Sequence, residues 1–273
     1  MKKALYIFVI LTFSKAFSQD PIHTQFFMVP ETLSSSFTGA KQSTRAGIIH
    51  RTQWPGLNFS INTQFAFVDN WFEEINSGVG ISVLNHKETT TRYNFTQVNL
   101  NYAYQFPISE EWNVRPSISV GYGAKDFGFQ NLVLEDQINI FSGIINVNSI
   151  DPINLNETIR FLDFSASVLF NSDNSWVGFT LKHLNQPNIS MEMEGQDNLE
   201  MFMSLHGSLY IPFGDYRSDN KLFVLANGMM QGAYNRFDLG AKYEMDRFAF
   251  GLLAATNPIK TDPNSHFLTS INA

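Results

Sequence analysis

Between residues 96 and 123 apolar and polar side chains alternate along two consecutive runs. Val98, Leu100, Tyr102, Tyr104 and Phe106 share one face, and Gln97, Asn99, Asn101, Ala103 and Gln105 share the other. A polar turn over 107–111 follows. Trp112, Val114, Pro116, Ile118, Val120 and Tyr122 then alternate with Asn113, Arg115, Ser117, Ser119 and Gly121. Side chains point to opposite faces of a strand with period two, so the pattern predicts an antiparallel β-hairpin with one apolar and one polar face. A strand crosses a bilayer at a tilt with about 9–11 residues, and both runs reach that length with aromatics toward their ends. The hairpin is therefore expected to belong to an all-β, antiparallel transmembrane β-barrel of the bacterial outer membrane, with lipid outside and a polar lumen inside. The alternative is a soluble antiparallel sheet with one wet face.

Composition fits the barrel. Charged residues are 16% of the 273-residue chain, against about 25% in ordinary globular proteins. Aromatics are 14%, yet mean hydropathy is only -0.12. Beyond the amino terminus no apolar window is long enough for a transmembrane helix. The net charge of -7 argues against a nucleic-acid partner. There is no cysteine, which excludes a disulfide framework, a thiolate metal site and a cysteine nucleophile. Residues 1–18 read as a secretory signal: Lys2 and Lys3, a short apolar run, then Ala16-Phe17-Ser18 before the expected cleavage.

Residues 19–42 lack strand periodicity and are expected to form an irregular lead-in that folds into the barrel mouth. The barrel is assigned to 43–273. Strands are expected at 45–53, 57–67 and 78–85, in the hairpin, and at 160–170, 176–184, 201–213, 222–228, 237–245 and 248–255. Residues 57–67 alternate most cleanly, with Phe59, Ile61, Phe65 and Phe67 opposite Asn58, Asn62 and Gln64. Asn58, Asn62, Gln64, Asn99, Asn101 and Arg115 are expected to face the lumen. Short connections near 107–111, 171–175, 214–220 and 245–247 alternate with longer ones near 86–94, 125–158, 185–199 and 229–236 and after 256. Bacterial barrels sort their connections in this way, with the short turns periplasmic. About eleven strands are recognisable, and a barrel must close. Twelve or fourteen strands are thus expected, with one or more closing strands beyond Ala273.

No constellation carries catalysis or cofactor binding. His23, His50, His86, His183, His206 and His266 show no metal-ligand spacing and read as isolated side chains. Glu192, Glu194 and Asp197 lack the pattern of a calcium loop. Gly121 and Gly123 open no helix, so they fit close backbone approach within a strand better than a nucleotide site.

Several motifs, in order, resemble a known family. Gln19-Asp20-Pro21, Thr24-Gln25-Phe26-Phe27 and Ser34-Ser35-Ser36-Phe37-Thr38-Gly39 open the mature chain. Arg51-Thr52-Gln53-Trp54-Pro55 follows, then Phe161-Leu162-Asp163-Phe164-Ser165-Ala166, Trp176-Val177-Gly178-Phe179, His183-Leu184-Asn185-Gln186-Pro187-Asn188 and Phe237-Asp238-Leu239-Gly240-Ala241. Together they resemble the PorP/SprF family of type IX secretion systems in Bacteroidetes. The chain departs from the family where Ser34-Ser35 replaces an Asn-Pro pair. The resemblance implies a non-enzymatic outer-membrane barrel, multi-pass, that works with type IX translocon components in exporting or attaching a large cargo such as a gliding adhesin. A solute channel is the alternative. Candidate partner-contact or plug positions are Gln25, Phe26, Phe27, Phe37 and Gly39 of the lead-in, Trp54 and Pro55 of the first turn, and Glu135 and Asp136 of the long loop.

Overall fold

The computed structural model describes residues 20–23, 25–57, 60–127, 137, 138, 145, 158–191, 195–212, 220–245 and 248–258, and the backbone of 270–272. Among these, one antiparallel sheet contains nearly all the regular structure. Its strands are β1 (Arg45–Gln53), β2 (Ile61–Phe72), β3 (Ser77–Glu88), β4 (Asn94–Tyr104), β5 (Phe106–Pro107), β6 (Asn113–Asp126), β7 (Ile159–Asn171), β8 (Trp176–Lys182), β9 (Phe202–Ile211), β10 (Lys221–Gln231), β11 (Tyr234–Met245), β12 (Phe248–Thr256) and β13 (Ser270–Asn272). Each strand pairs with its predecessor and successor in an unbroken meander, the two-residue β5 branching off against β6. Twelve strands therefore form the path from β1 to β13. No pairing between these two end strands is found among the described residues. Among the described residues no helix is long and apolar enough to cross a membrane.

The sheet is rolled around the lead-in. His23 meets Phe65 of β2, Phe26 packs on Leu253 of β12, Phe37 meets Trp176 of β8, and Thr38 abuts Gly78 of β3. Strands far apart in the meander thus converge on one short segment, which requires a barrel-like curl.

The outward face is apolar where the strands are longest. Ile81, Leu100, Ile118, Leu162, Phe179, Leu205, Leu239 and Leu252 all point outward and are exposed. At the short-turn end of the sheet Phe72, Tyr102, Tyr104, Phe106, Phe170, Phe248 and Phe250 add exposed aromatics, the girdle of a membrane barrel. At the long-loop end of β1 and β2 the outward face becomes polar, where Thr52 donates to Asn62 at 2.9 Å.

Three sequence expectations change. In β2 the faces are reversed: Phe65 and Phe67 are buried inward, whereas Gln64 is exposed outward. The reason is that the interior offers both rings a partner: His23 of the lead-in lies beside Phe65, and Arg45 of β1 lies over Phe67. Strand β3 runs on to Glu88, since His86 pairs with Thr63 and Phe95 of its neighbours. The connection expected over 229–236 shrinks to Gly232 and Ala233, with Gly232 in the left-handed region at φ +54. The remaining connections sort as expected. The connections at 73–76, 105–112 and 172–175 lie at one rim, with the strand ends Met245 and Phe248, and the connection at 89–93 lies at the other, with the strand ends Asp126, Ile159, Lys182 and Phe202. Gly123 lies under the Phe161 ring, where an added Cβ would come within 2.4 Å of it.

Candidate functional site

The lumen is occupied by the described residues between Asp20 and Gly39, and the lining of the strands is built to hold them. This segment has two short 3-10 turns, Pro30–Thr32 and Ser35–Phe37, and otherwise irregular backbone. Its polar groups therefore need partners from the barrel wall, and each part of the lead-in finds a different kind.

At the long-loop end the partner is charged. The Asp20 backbone N–H donates to Gln231 Oε1 at 2.7 Å. His183, one residue beyond β8, donates from Nε2 to Asp20 Oδ1 at 3.0 Å and from Nδ1 to Asp163 Oδ1 at 3.0 Å. Gln97 donates to the other Asp163 oxygen at 2.8 Å. Carboxylates only accept, so a ring held between two of them carries both protons and a positive charge. Burial would lower the His183 pKa, but the Asp20 charge and the hydrogen bonds to Asp163 and Asp20 push it up to about 9. Burial likewise opposes ionisation of Asp20, yet the His183 charge and hydrogen bond hold its carboxyl well below the usual carboxylate range. Close by, Arg51 donates to the Ile22 carbonyl. His23 is buried, and neither ring nitrogen is hydrogen-bonded among the described residues.

In the middle the contacts are apolar. Phe26 is completely buried among Leu33, Phe223, Leu225 and Leu253, and Phe27 packs edge-on against it. Lys182 donates to the Thr32 carbonyl at 3.1 Å. Glu31 pairs with Arg45 at 2.7 Å.

Toward the short-turn end five serines knot together. Ser34 caps the second 3-10 turn and donates to Ser167 of β7 at 2.9 Å. Ser35 and Ser36 each lie 2.8 Å from Ser117 of β6, which is 2.6 Å from Ser167. Small hydroxyl side chains let the lead-in approach both strands closely while satisfying one another. Arg115 of β6, fully buried, clamps the same turn: Nε donates to the Ser36 carbonyl at 3.0 Å, and Nη2 to the Thr38 carbonyl at 2.5 Å. Its guanidinium lies 5.3 Å from the Trp71 ring. Gly39 then leaves the lumen with φ +69 and touches β3 so closely that a Cβ would lie 2.7 Å from the Gly78 Cα.

Phe26, Phe27, Phe37 and Gly39 thus lie together inside the barrel. Gln25 is on the same segment but exposed. Trp54 and Pro55 are elsewhere, on an exposed turn at the long-loop rim, and Glu135 and Asp136 lie outside the described residues. Arg115 lines no open water but grips the lead-in. His183 is not isolated, and neither are His86, bonded to Thr63, and His206, bonded to Ser204. Sequence reasoning missed Asp20, Asp163, His183, Ser117 and Ser167 as site residues. The usable signal was an acid at an inward strand position, Asp163, within a motif of its own.

Some of the residues in these contacts lie in the stretches that carry the family resemblance, namely Asp20, Ser34–Gly39, Arg51, Asp163 and His183, whereas Arg115, Ser117, Ser167 and Gln231 lie outside them. The family model for the type IX secretion system membrane protein PorP/SprF matches residues 15–265. The chain belongs to the PorP/SprF family. It is a membrane component of a type IX secretion system. No curated protein matches the chain.

Proposed function

We propose that this PorP/SprF protein is a multi-pass outer-membrane barrel, plugged by its own lead-in, that joins the type IX machinery in exporting or attaching a large cargo protein such as a gliding adhesin. The observation that carries the reading is the filled lumen. Phe26, Phe37 and the serine knot occupy the space that a solute would need, while the outward apolar band suits lipid. A barrel closed in this way works through its rims and its partners. Lipid contacts are assigned to the outward band. Partner contact is assigned to the long-loop rim, including Trp54, Pro55 and the loop carrying Glu135 and Asp136.

Mild-detergent purification from native outer membranes, followed by mass spectrometry, tests the proposal. A translocon subunit or a large exported protein is expected in stoichiometric amount, and replacing residues 128–157 with a short Gly/Ser linker is expected to remove it without affecting barrel assembly. Purification of the barrel alone, with open-pore conductance in planar bilayers, would replace this reading with the channel.

A further inference from the structure

We propose that the amino-terminal end of the mature chain is displayed at the cell exterior, because the lead-in crosses the barrel once, from the long-loop rim to the short-turn rim. The inference rests on the outer-membrane reading above. Two sets of contacts define the crossing. At its start, Asp20 is bonded to Gln231, the last residue of β10 at the long-loop end. Asp20 and Pro21 also line a cavity of about 400 Å3 with Glu88, Thr91, Tyr93 and Lys125, which lie at the same end of β3, β4 and β6. At its finish, Gly39 is pressed on Gly78, the second residue of β3 at the short-turn end, and Thr44 donates to Asn70 at 2.6 Å. Strand β1 then starts from the short-turn rim and climbs back.

Short turns of outer-membrane barrels face the periplasm. The crossing therefore places Asp20 toward the outward rim. Force applied to the chain at Asp20 acts first on the Asp20–His183 pair, before the serine knot and the Arg115 clamp.

The natural chain has no cysteine, so single reporters need no background removal. Gly-Ser-Cys-Gly-Ser is inserted between Gln19 and Asp20, and Thr90→Cys and Glu110→Cys mark the long-loop and short-turn rims. Each variant is treated with a membrane-impermeant maleimide on intact cells, and again after permeabilisation of the outer membrane. Heat-modifiable migration verifies barrel assembly, and Pro21→Cys replaces the insertion if the latter fails to assemble. Labelling of the insertion and Thr90→Cys on intact cells, with Glu110→Cys labelled only after permeabilisation, is the expected result. An insertion labelled only after permeabilisation, with Thr90→Cys still labelled on intact cells, overturns the crossing but leaves the membrane reading standing. The two rim reporters exchanging behaviour overturns the outward direction. Rim reporters that cannot be told apart remove the outer-membrane reading, and the inference with it.

Discussion

His183 shows how one side chain can hold a segment that has little regular structure. An imidazolium between two carboxylates gains two charge-assisted hydrogen bonds, each stronger than a neutral one. Removing one partner of a buried charge pair costs roughly 3–5 kcal/mol, because the remaining charge is left uncompensated. His183→Ala is therefore expected to free the start of the lead-in, seen as rapid subtilisin cleavage near residues 20–30 of the detergent-solubilised barrel. The pH dependence has a definite sign. The folded pKa of His183 lies above its unfolded value of about 6.5, so its contribution is complete below that value and is lost as pH rises through about 9. Wild-type protein at pH 10 should be cut as the variant is at pH 7.5. Unchanged protection at pH 10, with the variant cut at both, would show that this charge is not what holds Asp20.

At the scale of elements, the lead-in and β3 meet backbone to backbone. Gly39 has φ +69, a conformation that residues with a Cβ adopt only with strain, and Gly78 leaves no room for that Cβ. Strain of this kind costs about 1–3 kcal/mol. Gly39→Ala is expected to lower the temperature at which the folded barrel loses its fast gel migration. Gly56→Ala, where nothing lies within 4 Å, should leave that temperature unchanged. Equal effects from both would mean that the lead-in exit does not contribute to barrel stability. Element geometry also explains why β2 turned over. Its period-two pattern is clear, but the pattern alone cannot say which face is inside. That was decided by His23 beside Phe65 and by Arg45 lying over Phe67.

For the whole molecule, the outward band decides where the barrel resides. A cationic side chain on the lipid face costs about 2–4 kcal/mol at the bilayer midplane and much less near the interface. Leu100→Arg, at the middle of β4, should therefore block assembly, and Thr52→Arg, at the polar long-loop end of β1, should not. Equal tolerance of both in outer-membrane fractions would argue against a lipid-facing band. The sequence by itself determined the antiparallel strands, the sorting of short and long connections, the amphipathic faces of the 96–123 hairpin and the family. Each is local, written in period-two alternation, in turn residues or in short motifs. The lead-in was legible as a plug, but tertiary structure alone decided which wall residues grip it, the reversed face of β2 and the meeting of Asp20, Asp163 and His183. Asp20 and His183 are 163 residues apart, and only rolling the sheet around the lead-in brings them within hydrogen-bond reach. No spacing along a chain encodes which side chains will face each other across the interior of a rolled sheet.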